Sequence, residues 1–263
     1  MYWGRYVGHD NNRDGMGQTL AMTQSIMRTV LDWRPTVLHD LHESLPYLYT
    51  STGNGPYNVS LDPIASQEWW LLAQTEVLEL TKRGIPGVWT GGFYGGWTPN
   101  YLFWIAMTHN GFGRFYEVQS YGPDVRRKLE LPTTATSREW YRPNPPPPTI
   151  DWGPRNNVNI QQSAILIALN KVATDCELYL ENYWLKTKRT IETGRAAGSV
   201  NAWVIPAAQR AKGNAADMLN TLRRQGVEVS TAKQAFTADG VSVAAGDYVI
   251  RGDQPYRTSS TPI

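Results

Sequence analysis

Apolar positions along the chain follow two rhythms. Between Gln18 and Trp33, Leu20, Ile26, Met27, Val30 and Leu31 recur at helical spacing and Pro35 closes the segment. That pattern predicts an amphipathic helix with Asp14 or Thr19 as its N-cap. Ser66 to Lys82 repeats it, with Trp69, Trp70, Leu72, Ala73, Val77 and Leu80 on one side and Gly84 as the stop. Tyr101 to His109 reads as a buried helix, and Asn156 to Thr193 as two helices broken near Thr174-Asp175. Short apolar runs bounded by turn formers predict a buried strand running into a polar loop over Thr36 to Ser44, and strands at Val88 to Thr90 and Gly113 to Val118. In the first of these, alternation sends Leu38, Asp40 and His42 to one face and His39, Leu41 and Glu43 to the other. Pro123 to Trp152, with its Pro145-Pro146-Pro147-Pro148 run, predicts an extended excursion wrapping the surface.

Alternating helices and strands predict an α/β class, with a mixed central sheet flanked by helices over residues 1–194. Beyond Gly194 the pattern changes. Ala202 to Pro206 reads as a strand, Ala215 to Gln225 as a helix stopped by Gly226, and Val227-Glu228-Val229 as a second strand. Together they predict one parallel crossover unit. Val241 to Val243 and Asp247 to Ile250 predict a hairpin around Gly246. Residues 195–263 therefore read as a second, small and incomplete α/β domain.

Composition narrows the function classes. With 41% hydrophobic and 18% charged residues the chain is globular rather than disordered. A net charge of +2 gives no footprint for nucleic acid or an acidic membrane, and no apolar run approaches a membrane span. The single cysteine, Cys176, excludes an intrachain disulfide and a cysteine zinc cage. The abrupt aromatic opening, Met1-Tyr2-Trp3, reads as a piece of a longer protein. An export signal for a secreted or periplasmic location would lie upstream of Met1.

Candidate chemistry gathers at a few polar positions. His42, delivered at the end of a core strand, is held as rigidly as a metal ligand requires. Glu117 interrupts a strand of Phe, Tyr and Val, where an unpaired carboxylate is costly. It is either paired, with Arg114 or Arg13 as partners, or retained for chemistry. The Gly91 to Trp97 loop lacks the Lys-Ser/Thr ending of a phosphate loop, which excludes that mode of nucleotide binding.

Asp10-Asn11-Asn12-Arg13-Asp14, Asp40-Leu41-His42-Glu43 and Arg114-Phe115-Tyr116-Glu117 occur in this order. In these motifs the chain resembles zinc carboxypeptidases of the M14 type, in a bacterial branch where a small α/β domain follows the peptidase. The resemblance covers Tyr2 to Thr193. It implies a zinc cofactor and a peptide substrate. Asn12 and Arg13 would grip the substrate's terminal carboxylate, and His42 would be the third zinc ligand. Glu117 would take the proton from zinc-bound water, and Tyr94 would be the mobile tyrosine over the substrate.

The family's first two zinc ligands, a His-x-x-Glu ahead of the Asn-Arg pair, have no counterpart here. His39 is no substitute, because it faces away from His42. Catalytic zinc needs about three protein ligands, so the chain as written is expected to bind zinc and hydrolyse peptides poorly. Two rivals accompany this expectation. One is a non-catalytic module binding a carboxylate-bearing peptide, with Glu117 in a salt bridge. The other is a carbohydrate enzyme using Glu43 and Glu117 as paired acids.

Overall fold

The computed structural model describes residues 8–43, 45, 47–52, 55, 57–92, 98–120 and 126–261. Helix α1 (Ala21–Trp33) leads into β1 (Val37–Glu43), followed by β2 (Leu48–Thr50), α2 (Pro63–Lys82) and β3 (Val88–Trp89). Next come α3 (Leu102–Thr108), β4 (Phe112–Val118), β5 (Arg127–Glu130), α4 (Thr133–Thr136) and β6 (Thr149–Trp152). The long helices α5 (Pro154–Thr174) and α6 (Cys176–Arg195) close this part, with Asp175 as the break between them. The class is mixed α/β, as the alternation predicts.

β1, β4, β2 and β3 lie in that order in one mixed sheet. β1 runs parallel to β4, β4 antiparallel to β2, and β2 parallel to β3. Register along β1 and β4 pairs Val37 with Phe112 at one end and His42 with Glu117 near the other. Helix α3 rests on one face of these strands, where Gly113 makes room for it: a Cβ there would stand 2.3 Å from Phe103 Cα. α1 joins the same layer, with Met27 and Val30 packed against Ile105 and Leu38.

The opposite face is covered by α2, α5 and α6. It contains buried charge. Arg114 and Tyr116 of β4 both bond the Glu76 carboxylate on α2, and Arg114 and Glu76 are fully enclosed. Burial pushes the Glu76 carboxyl up to about 7, against the pull of Arg114 and Tyr116. Lys186 of α6 meets Glu68 of α2 in the same layer and also donates to the Gly111 carbonyl at 3.2 Å.

Several expectations are corrected. α1 begins at Ala21, and Leu20 stands at its cap without a side-chain bond. Asp14 does work nearby, accepting from the Thr19 and Leu20 amides and from the Thr19 and Thr23 hydroxyls. The excursion before Trp152 is no plain surface wrap. β5 and β6 form an antiparallel ladder, and Ile150 and Trp152 enter the core, the indole donating to Asn157 Oδ1 at 2.6 Å.

Beyond α6 come β7 (Ala202–Ile205), α7 (Lys212–Arg224), β8 (Ser230–Thr231), β9 (Phe236–Ala238), β10 (Val241–Val243) and β11 (Tyr248–Arg251). β7 and β8 do not pair with each other, because β11 lies between them and is antiparallel to both. The second strand also starts later than the Val227-Glu228-Val229 run suggests. The Val227 amide bonds the Leu222 carbonyl and the Gly226 amide the Arg223 carbonyl, so Val227 is consumed in a Schellman stop, buried beside Leu222. The expected hairpin around Gly246 is replaced by one between β9 and β10. Its turn residues Asp239 and Gly240 have φ of 48° and 76°, the signs a tight two-residue hairpin requires.

Among the described residues no helix is long and apolar enough to cross a membrane. Removing one partner of a buried ion pair strands the other charge, at a cost of about 3–5 kcal/mol. Arg114→Met should therefore lower unfolding stability by about that much in a denaturant titration. Glu76→Gln together with Arg114→Met should recover part of the loss.

Candidate functional site

The C-terminal halves of β1 and β4 present one small hollow. Asp40 and His42 come from β1, and Phe115 and Glu117 from β4. Tyr101 and Phe103 enter from the start of α3, and Asn12 from a 3-10 turn at Asn11–Arg13. Alternation places each strand pair on one face, and the register sets His42 directly beside Glu117. The free space is about 10 Å³, roughly one water molecule, so a larger ligand engages the hollow at its mouth.

His42 is the electrostatic centre. Its Nε2 lies 2.7 Å from Asp40 Oδ2, and the other Asp40 oxygen accepts from the Leu41 amide at 3.0 Å. Burial pulls the imidazole pKa down. The hydrogen bond and charge of Asp40, joined by the charge of Glu117, outweigh that and raise it, with Arg13 acting in opposition. His42 also meets the Phe115 ring edge-on, centroids 5.9 Å apart. Glu117 is buried, at 5% exposure. Arg114 is not its partner, since it lies on the other face of β4 and is spent on Glu76.

The Asn11–Arg13 turn is capped by Asp10, whose carboxylate accepts from the Asn12 amide at 2.8 Å. Arg13 is exposed, yet its guanidinium is placed. Cζ stands 4.5 Å over the Tyr101 ring, and Nη1 donates to the Asn12 carbonyl at 2.9 Å. Behind the turn, Asp14 anchors the loop. Burial would raise its carboxyl, but bonds from Thr19, Thr23 and Leu20 bring it down to about 2. His9 adds a contact to the same carboxylate at 2.9 Å.

Asn12, His42 and Glu117 thus share the hollow, and Arg13 lies within electrostatic reach of His42. Tyr94 lies outside the described residues. Of the other histidines, His39 faces away, its ring 4.3 Å from Tyr116 and its pKa depressed by burial to about 2. His109 is buried between the Ile105 and Gln225 carbonyls. Glu43 also faces away and accepts from Asn157 at 2.9 Å. Glu43 and Glu117 occupy opposite faces of the sheet, which ends the paired-acid carbohydrate reading.

Asp40 and Tyr101 are the residues that sequence reasoning passed over. Alternation already set Asp40 on the His42 face, two residues away, and that spacing was the available signal. Nothing local marks Tyr101, whose role depends on a loop 88 positions earlier (101 − 13 = 88). With Nε2 given to Asp40, the open nitrogen of His42 is Nδ1. Among the described residues no group of three His, Cys, Asp or Glu side chains is placed to hold a metal ion. Comparison with family models, with curated proteins and with solved structures finds no match for this chain.

Asp40 sustains the raised His42 pKa, so Asp40→Asn should move the imidazole titration to lower pH in a proton NMR experiment. The stability contributed by a raised pKa is complete below the unfolded value of 6.5 and disappears as pH rises through the folded one. The stability advantage of the native chain over His42→Gln should accordingly be largest under acid conditions and shrink toward alkaline pH.

Proposed function

We propose that this hollow is the carboxylate-recognition and proton-transfer part of a hydrolase site of the zinc carboxypeptidase type, its ligand a peptide or amide ending in a free carboxylate. One observation carries the reading: His42 and Glu117 are register partners on one sheet face, with Asn12 at the same hollow. Arg13, held over the Tyr101 ring, offers a planar fork to a planar carboxylate, and Asn12 offers an amide beside it. Glu117 is an enclosed carboxylate suited to accept and return a proton at the scissile bond.

Zinc belongs to this proposal only in part. An imidazole with Nε2 tied to a carboxylate presents Nδ1 in the arrangement common behind metal ligands. Among the described residues no set of three such ligands is placed to hold a metal ion, so they do not fit a complete zinc site. A second reading, a binding module without turnover, is favoured by one feature. Asp40 raises the His42 pKa and so favours its cationic form near Arg13, an arrangement suited to hold a carboxylate without any chemistry.

A fluorescent dipeptide with a free C-terminus and the same dipeptide as its C-terminal amide test recognition. Arg13→Ala should weaken binding of the acid by about 10–100-fold, the value of a charge-assisted contact, and leave the amide unchanged. Equal binding of acid and amide by the native chain would remove the carboxylate reading. Turnover of the acid with zinc present separates hydrolase from module: Glu117→Gln should abolish turnover while retaining affinity for the acid. A zinc titration with no uptake and no turnover favours the module.

A further inference from the structure

The loop that carries Asn12 and Arg13 is held from behind by the far end of the chain. Gln225, the residue ending α7, is 1% exposed. Its side-chain Nε2 donates to the Gly15 carbonyl at 3.1 Å and to the Met16 carbonyl at 2.9 Å. Two carbonyls facing one nitrogen fix the amide orientation, since the oxygen could not occupy that place. Its own backbone carbonyl is bonded by His109 Nε2 at 2.7 Å, which ties Gln225 to the end of α3.

On its other side, Gly15 is pressed against the residues that begin α3. Its amide donates to the Asn100 carbonyl at 2.8 Å, and a Cβ at Gly15 would lie 2.6 Å from the Tyr101 carbonyl oxygen. The loop is therefore wedged between Gln225 and the Asn100-Tyr101 backbone. Tyr101 is the ring on which Arg13 lies.

We infer that Gln225 is a positioning residue for the site, holding the Gly15-Met16 backbone so that Arg13 and Asn12 stay aimed at the ligand's carboxylate. The inference rests on the reading of Arg13 given above. It assigns the C-terminal segment a part in recognition, acting through the loop rather than touching the ligand. Contacts from Asn110 Nδ2 to the Pro255 carbonyl at 2.9 Å, and from His109 to the Tyr256 ring at 4.6 Å, keep Gln225 against the loop.

The test uses the full chain with Gln225→Met, which keeps the volume and removes both donated bonds, and Gln225→Glu, which turns acceptors toward two carbonyls. Two measurements are made on each: amide hydrogen exchange, and affinity for the free-acid and amide dipeptides. The expected result is exchange at least tenfold faster at the Arg13, Asp14 and Gly15 amides, with residues 37–43 and 112–118 unchanged. The acid-over-amide preference should fall at least fivefold. Unchanged loop exchange in both variants overturns the inference, as does an equal loss of affinity for both probes, which would mark Gln225 as merely structural. Faster exchange confined to α7 also overturns it. Should the native chain bind acid and amide alike, the carboxylate reading fails and the recognition role falls with it. Loop exchange then still decides whether Gln225 clamps the loop.

Discussion

The parallel, in-register pairing of β1 with β4 is the constraint on which the rest depends. A slip of one residue would exchange the two faces of a strand, and on β4 that exchange is prohibitive. Phe115 and Glu117 would turn toward α2, while Arg114 would leave the Glu76 carboxylate alone inside the core. Gly113 adds a steric lock, since α3 can approach only where the strand carries no side chain. Register is thus held from both faces, by charge on one and by absence of bulk on the other.

The same alternation separates two kinds of polar chemistry within one strand. Arg114 and Glu117 are three positions apart, yet one is sealed in a structural ion pair and the other opens onto the hollow. On the hollow side Phe103 and Phe115 are buried and line the site, and the charges of Asp40, Glu117 and Arg13 all act on His42. Burial lowers the pKa of that imidazole and its charged neighbours raise it further than burial lowers it, a balance through which a site can be tuned.

Backbone order at the mouth comes from a different source. The turn bearing Asn12 and Arg13 belongs to no sheet, and its stability is assembled from single contacts. Asp10 closes the turn, Asp14 gathers four donors from the start of α1, and Gly15 seats against Asn100. Gln225 reaches it from a distant part of the sequence. A loop held this way keeps a guanidinium in place without burying it, preserving both its charge and its access to a ligand.

Much of the architecture was legible along the chain. Apolar spacing located α1, α2, α3, α5 and α6 and the break at Asp175, and period-two alternation placed His42 with Asp40 and away from His39 and Glu43. These features are set by covalent geometry, which repeats every two or 3.6 residues whatever the surroundings. The tertiary structure alone decided which strands are neighbours: β11 between β7 and β8, β9 with β10, and β5 with β6. It alone turned Val227 into a helix stop, spent Arg114 on Glu76, and brought Tyr101 under Arg13 and Gln225 behind Gly15. The reason is physical: a side chain's face follows from its own backbone, but its partner follows from which distant segment fills the space beside it.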